Sequence, residues 1–276
     1  MPARNQVIAD LRASIEAIEK RPALAEAKGP GGAVASGVPQ VAAGTLSEIF
    51  SDGTRDAGAA LGFCLLQARR LLTAERKAII WLQMRAEAQE TGLPYGPGLA
   101  GFGLDPDALG IVRADTVTAL LWAMEEAAGC GNVAAVIGDF ARDHKPLDFT
   151  VSRRLALRAE AHGAALFVLR YGPGREASAA GFRFHVAAAP SAARAYDARA
   201  PGAARYRITL EKGARRLEAG TARQDTAGRD FWLLEWTEDG LVADISGKWG
   251  GIGTAGEAAL PVARPAGLGD RLPQTA

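Results

Sequence analysis

Residues 45–82, TLSEIFSDGTRDAGAALGFCLLQARRLLTAERKAIIWL, contain the pattern that decides the fold. A short apolar run at 45–50 is followed by a helical stretch at 56–72 and by a second apolar run at 78–82. Short strands that alternate with helices of this length are typical of βαβ units, whose parallel strands are buried on both faces. The stretch therefore predicts the first unit of an α/β domain.

The same alternation continues as far as residue 171. Further apolar runs at 110–114, 133–139 and 165–171 are separated by helical stretches at 116–129 and 147–163. Five apolar runs with helices between them predict a mostly parallel sheet that lies between two layers of helices.

After residue 171 the pattern changes from strand and helix to strand after strand. The segments FRFHVAAAP (182–190), RYRITLEK (205–212) and DFWLLEW (230–236) each alternate with a period of two residues. We expect all three to extend one edge of the sheet in antiparallel fashion. The domain is predicted to span residues 45–243.

The two ends of the chain are predicted to lie outside this domain. Residues 1–22 form an amphipathic helix in this prediction, residues 23–44 a linker rich in Gly, Ala and Val, and residues 244–276 a flexible tail. An isolated helix of this length is marginal in water, so its apolar stripe should be buried on a partner or on its own domain. The stripe consists of Ile8, Leu11, Ile15 and Ile18.

Composition excludes several classes of protein. The chain has 276 residues, of which 48% are hydrophobic and 23% charged, a balance typical of globular proteins rather than disordered ones. No apolar run is long enough to cross a membrane, and the first residues lack the pattern of an export signal. Cys64 and Cys130 are far apart, with no second Cys or His near either, so neither a disulfide framework nor a zinc site is predicted. We expect a cytoplasmic protein without membrane contact.

Positive charge is concentrated in one part of the chain. The net charge is +1, but residues 151–230 hold fifteen Lys and Arg against seven Asp and Glu, which gives this segment 15 − 7 = +8. Such a segment can face nucleic acid, or it can be a solvated, Arg-rich surface. Arg153, Arg154 and Arg158 lie on one predicted helix and are the candidate phosphate contacts.

The turn after the first strand has the glycine spacing of a phosphate-binding loop but lacks its chemistry. Gly53 and Gly58 fit the pattern G-x-x-x-x-G-K-[ST], in which the Lys reaches the terminal phosphates and the hydroxyl holds Mg²⁺. Those two positions are Ala59 and Ala60 here, and Asp56 within the loop would repel a triphosphate. We therefore expect a degenerate loop that binds no cofactor and no metal.

Two further catalytic features of nucleotide hydrolases are altered. Asp139 ends an apolar strand, as a metal-orienting carboxylate would, but without its partners we expect it to cap the next segment or bond a neighbouring loop. The end of the strand at 78–82 carries Gln83 and Met84 where a recombinase would have a catalytic Glu, and Glu87 is predicted to be a solvated helix-start residue. The three histidines, at 144, 162 and 185, show no spacing that predicts a catalytic triad or a metal site.

Four segments carry a family resemblance: LAGFGLDPDAL (99–109), LWAMEE (121–126), LDFTVSRRLAL (147–157) and WLLEW (232–236). In this order and spacing, and together with the helix, linker and degenerate loop, they resemble the ImuA family of RecA-like proteins over roughly residues 1–243. The resemblance implies a RecA-like core that works beside ImuB and an error-prone C-family polymerase in SOS mutagenesis.

The resemblance also implies candidate partners and alternatives. The N-terminal helix is similar to the helix by which RecA-type protomers bind one another, so RecA or a second copy of this chain are further candidates. The leading expectation is a non-enzymatic adaptor of translesion DNA synthesis. One alternative is a SulA-like inhibitor of cell division that acts on FtsZ, and another is a weak ATPase that uses Arg55 in place of the missing Lys.

Overall fold

The computed structural model describes residues 40–101, 103–142, 144–191, 202–213, 223–224, 228–237 and 240–243. The predicted N-terminal helix with Ile8, Leu11, Ile15 and Ile18, most of the predicted linker and the predicted tail lie outside these residues.

Ten strands of the described residues form a single sheet. Its spatial order is β10-β9-β7-β6-β1-β5-β4-β2-β3, with β8 paired to β9. The first five strands in the chain are mutually parallel, with β1 between β5 and β6. The strands are β1 (Leu46–Ser51), β2 (Ala78–Met84), β3 (Leu109–Ala114), β4 (Val133–Phe140), β5 (Ala165–Tyr171), β6 (Phe182–Ala189), β7 (Arg205–Lys212), β8 (Arg223–Gln224), β9 (Asp230–Thr237) and β10 (Gly240–Ala243).

Helices cover both faces of the parallel part of the sheet. One face packs against α1, where Phe63 meets Ile49, Ile137 and Phe167 of three strands in one apolar cluster. The other face packs against α4 and α5, which bury Leu46, Ile80 and Val136. The helices are α1 (Ala57–Arg69), α2 (Arg85–Thr91), α3 (Gly96–Gly101), α4 (Val117–Ala128) and α5 (Phe149–His162), with short 3₁₀ turns at Thr54–Asp56 and Pro106–Ala108.

Local capping residues fix the ends of the two longest helices on the second face. Thr116 accepts a hydrogen bond from the N–H of Ala119 at the start of α4, and Asp148 accepts one from Val151 at the start of α5. Gly163 ends α5 with φ of 74°, a left-handed conformation that favours glycine. The predicted α/β class, with a mostly parallel sheet between helices and an antiparallel C-terminal extension, is confirmed.

One detail of the prediction is wrong, because β6 runs parallel to β1 rather than antiparallel. Only from β7 onward do the trailing strands alternate in direction. For β6 to run parallel to β1, the chain must return from the carboxyl end of β5 to the amino end of β6. Residues 172–181 make this return past β1 without a helix. We call residues 172–181 the crossover.

Polar contacts hold the crossover and the start of β6 on β1. The Arg183 guanidinium donates to Glu48 Oε2 from Nε at 2.9 Å and from Nη2 at 2.8 Å, and Ser178 Oγ donates to the same oxygen at 2.6 Å. Arg175 lies over the Phe50 ring, 4.1 Å from its centroid, and pairs with Glu211 at 2.9 Å. Glu48 is only 3% exposed, so this ion pair is largely shielded from water.

Candidate functional site

The loop between β1 and α1 occupies the position predicted for the phosphate-binding loop. Gly53 is extended, with φ of −178°, and a 3₁₀ turn follows in which the N–H of Asp56 donates to Gly53 O at 3.1 Å. Neither Gly53 nor Gly58 has a positive φ, and a Cβ at either position would meet no atom within 4 Å. The loop conformation therefore does not require its two glycines.

Two carboxylates of this loop are bound to β6. Asp52 Oδ1 lies 3.0 Å from His185 Nε2, and Asp56 Oδ1 accepts a hydrogen bond from the N–H of Ala188 at 3.1 Å. The histidine at 185 thus has a carboxylate partner that sequence spacing did not predict, because strand pairing brings the two together across 133 residues. The loop is attached to the neighbouring strand by its own acidic residues.

The two positions that would supply the lysine and the hydroxyl face the core. Ala59 is 5% exposed and Ala60 is 0% exposed, and both join the apolar cluster beneath α1. A lysine at position 59 would have to extend from this packed surface to reach a ligand. The loop thus lacks the lysine and the hydroxyl of a phosphate-binding loop at these two positions, and both alanines contribute to packing.

Asp139 lies at the carboxyl end of β4 and is 6% exposed. Burial raises the pKa of this carboxyl group to about 6, while the nearby polar hydrogens of Tyr171 and Trp81 oppose the rise. Burial, and next the charge of Asp139, raise the pKa of the Tyr171 hydroxyl well above its usual value. Burial likewise raises the pKa of the Cys64 thiol on α1, so this cysteine is not an activated nucleophile.

Glu87, and not Asp139, caps the segment that follows β4. Glu87 Oε2 accepts a hydrogen bond from the N–H of Ala141 at 2.9 Å, and Glu87 Oε1 lies 2.8 Å from His144 Nε2. The prediction that Glu87 is solvated is wrong, since it is 6% exposed. The prediction of a helix start is correct, because α2 begins two residues earlier. The position of Glu87 in the sequence accounts for this contact, because Glu87 follows β2, whose carboxyl end lies beside that of β4.

Asp139 should make stability depend on pH in a direction opposite to that of a salt-bridged carboxylate. With the pKa raised to about 6 in the folded protein, the folded state retains a proton that the unfolded state releases near pH 4. Stability should therefore fall as pH rises between these values, by about 3 kcal/mol for a shift of about two units. Asp139→Asn should remove this loss. Urea unfolding at about pH 4 and about pH 8 measures the free energy of unfolding of both proteins. If the difference in this free energy between variant and wild type is the same at both pH values, the prediction is wrong.

Two of the three candidate phosphate-binding arginines of α5 contact the same residue of α4. Arg153 is exposed. Arg154 donates to Glu125 on α4 at 2.5 Å, and Arg158 donates to the Glu125 carbonyl oxygen at 3.3 Å. The helix thus uses Arg154 and Arg158 to bind α4, but the Arg154 side chain remains 54% exposed, and Arg153 is exposed as well.

Carboxylates from elsewhere in the chain offset part of the net charge of +8 that residues 151–230 carry. Glu48, Glu125 and Glu235 lie outside this segment and pair with Arg183, Arg154 and Arg205 within it. The positive excess is therefore smaller on the folded surface than in the linear count.

The described residues contain neither a cluster of metal ligands nor a membrane-spanning helix. No group of three or more His, Cys, Asp or Glu side chains in the described ranges is arranged to hold a metal ion. Within the same part of the chain, no helix has the length and apolar character needed to span a membrane.

Comparison with known proteins adds a distant likeness in structure. No protein-family model matches the chain, and no curated protein matches it in sequence. Among solved structures, the chain is similar to the crystal structure of the RadB recombinase, with 12% sequence identity, coverage of 73% of this chain and 91% of that chain, and a TM-score of 0.47. At this identity and TM-score the likeness says nothing about function, and the strand order given above defines the architecture of the described residues.

Proposed function

We propose that this chain is a non-catalytic, RecA-like accessory protein of SOS-induced translesion DNA synthesis, which works with ImuB and an error-prone C-family polymerase. The main support for a non-catalytic protein is that the β1–α1 loop is bound to β6 through Asp52 and Asp56. The four sequence segments that resemble the ImuA family support the choice of process and partners.

Electrostatics supports the absence of nucleotide chemistry. A triphosphate at the start of α1 would meet the carboxylates of Asp52 and Asp56, and like charges at close range repel by on the order of a kcal/mol even in water. Arg175 is already paired with Glu211, and His185 lies 3.0 Å from Asp52, while Arg55 on the 3₁₀ turn is exposed. Ala59 and Ala60 are buried in the core, so the two positions that would hold the lysine and the metal ligand carry no polar side chain.

The purified protein should neither hydrolyse ATP nor gain thermal stability from millimolar Mg-ATP. A ligand present at 100 times its dissociation constant stabilises by about 2.7 kcal/mol, which shifts the melting temperature by several degrees. Differential scanning fluorimetry with and without Mg-ATP measures this shift. Gly58→Val is the control, because position 58 is exposed and has room for a side chain. A shift in the wild type that this variant abolishes would show that the loop binds nucleotide.

Partner capture tests the remainder of the proposal. Purified full-length chain should bind ImuB in a pull-down or by surface plasmon resonance, with RecA and FtsZ as parallel arms. Binding to FtsZ without ImuB would favour a SulA-like inhibitor of cell division. Binding to none of the three would contradict the adaptor function.

Direct binding to DNA, where it occurs, should be weak, indifferent to sequence and sensitive to salt. Arg153→Glu is the informative reversal, because reversing Arg154 or Arg158 would also break their contacts with α4. We expect Arg153→Glu to reduce affinity at low salt and to lower the slope of log affinity against log salt by about one. Fluorescence anisotropy with single-stranded oligonucleotides measures both. Arg113→Glu, an exposed arginine on β3, is the charge-matched control, and an equal loss in both variants would exclude α5 as the DNA face.

A further inference from the structure

Three buried polar atoms at the carboxyl ends of β2 and β4 have no hydrogen-bond partner in the protein. They are Trp81 Nε1, Gln83 Oε1 and Asp139 Oδ1. Their residues are 2%, 1% and 6% exposed, so bulk water does not satisfy them. A buried polar group without a partner costs about 1 to 3 kcal/mol, so three in one place call for a physical explanation.

The three residues lie on one patch of the sheet. Gln83 and Asp139 are cross-strand partners in the β2–β4 register, and Trp81 precedes Gln83 by two residues, which places it on the same face. Trp81 belongs to the apolar cluster under α1, and the charge of Asp139 acts on Cys64 of α1. All three side chains therefore face the layer between the sheet and α1.

The neighbouring contacts fix which groups remain free. Gln83 Nε2 donates to the carbonyl oxygen of Gly92 at 3.3 Å, which leaves Gln83 Oε1 as the unused end of the amide. A hydrogen bond from the Tyr171 hydroxyl lowers the pKa of Asp139, so Tyr171 accounts for one side of this carboxyl group. The indole N–H of Trp81 also lies near enough to lower that pKa, yet Nε1 makes no hydrogen bond. The indole N–H therefore lies close to the carboxyl group of Asp139 without a direct hydrogen bond from Nε1 to Oδ1.

The free atoms consist of one donor and two acceptors. An ionised carboxylate and an amide oxygen both only accept, so Gln83 Oε1 and Asp139 Oδ1 cannot bond each other. A cation would be repelled by the N–H dipole of the indole. A water molecule accepts from one group and donates to two, and buried waters in proteins make about three such bonds.

We propose that one internal water molecule binds between β2 and β4, where it accepts a hydrogen bond from Trp81 Nε1 and donates to Gln83 Oε1 and Asp139 Oδ1. This water is structural: Cys64, the nucleophilic side chain next to Asp139, is a buried thiol with a raised pKa. It links the two strands at a point where their side chains do not bond directly.

Magnetic resonance of the indole proton of Trp81 tests the proposal in solution. The chain has five tryptophans, and Trp81→Phe assigns the signal. In the full-length wild type at about pH 8, where Asp139 is ionised, the Trp81 Hε1 proton should show a cross-relaxation peak to long-lived water. Gln83→Leu should abolish this peak, because it removes one of the three partners.

Gln67→Leu is the matched control. Gln67 is also 1% exposed, but its Oε1 already accepts a hydrogen bond from the N–H of Val41 at 3.0 Å. The peak should survive in Gln67→Leu. Should Gln83→Leu fail to fold, Asp139→Leu serves in its place. A wild type without the peak, or a peak that survives the loss of either Gln83 or Asp139, would overturn the proposal.

A crystal structure of the full chain at about pH 8 gives a second readout. We expect one solvent atom within hydrogen-bond distance of all three polar atoms in the wild type, and none there in Gln83→Leu. Direct contact between Gln83 Oε1 and Asp139 Oδ1 at about 2.6 Å would instead mean a proton shared between them, and would also overturn the proposal.

Discussion

Glu48→Ala should lower the free energy of unfolding by about 3 to 5 kcal/mol, because breaking a buried ion pair from one side leaves the other charge uncompensated. The charge left behind is that of Arg183, whose side chain is 13% exposed and which donates to Glu48 through two nitrogens. Ser178 would lose its acceptor as well. The crossover would therefore lose its side-chain hydrogen bond to Glu48, while the contact of Arg175 with Phe50 would remain. Equilibrium unfolding in urea, with circular dichroism as the probe, measures the change.

An exposed ion pair provides the control for this experiment. Arg85 and Asp115 also lie 2.8 Å apart, but their side chains are 52% and 36% exposed, so Arg85→Ala should cost about 1 kcal/mol or less. The double variant Glu48→Leu with Arg183→Met should recover part of the stability lost in Glu48→Ala, since replacing both partners leaves no buried charge. A loss of under about 1 kcal/mol in Glu48→Ala would mean that water reaches the pair.

The double variant Leu11→Asp with Ile15→Asp should abolish capture of ImuB and self-association while leaving the melting temperature unchanged. This expectation rests on the proposed function and on the stripe of residues 8–18 in the sequence. Four buried side chains of this size contribute roughly 6 to 12 kcal/mol before the costs of association are subtracted, which is enough to decide assembly. Thermal melting and surface plasmon resonance on the same preparations measure the two effects.

The opposite face of the predicted N-terminal helix supplies the matched control for the stripe. Ala9→Asp with Ala13→Asp adds the same charge at the same spacing, but on the face away from the four apolar residues, so binding should persist. A lowered melting temperature in the stripe variant would show instead that the stripe packs on its own domain. Normal melting together with normal binding would leave the stripe without either role.

The strands and helices of this fold could be predicted because burial on both faces leaves apolar runs such as 133–139 and 165–171. The direction of β6 could not be predicted in the same way, since a period of two residues is the same for parallel and antiparallel strands. One residue that links the two strands is Glu48, the charged residue of β1. Its partner Arg183 lies 135 residues away, and no local pattern connects the two.

For the candidate site, too, features set by local spacing could be predicted from the sequence, and contacts between distant residues could not. The loss of the lysine and the hydroxyl could be predicted from Ala59 and Ala60, because a fixed spacing relates them to Gly53. The contacts of Glu87 with Ala141 and His144, and those of Asp52 with His185, depend on which strands are neighbours. Sequence spacing alone therefore left these histidines without partners.

The central position of β1 has a consequence for how the chain folds as the ribosome makes it. Of the described strands β1 is synthesised first, yet its two neighbours in the sheet are β5 and β6, which begin at Ala165 and Phe182. Until those residues emerge, β1 has both edges open, while β2, β3 and β4 can already pair with one another. A nascent chain that stops before Ala165 therefore exposes a strand that is buried along its whole length in the folded protein, where chaperones, proteases and other nascent chains can reach it.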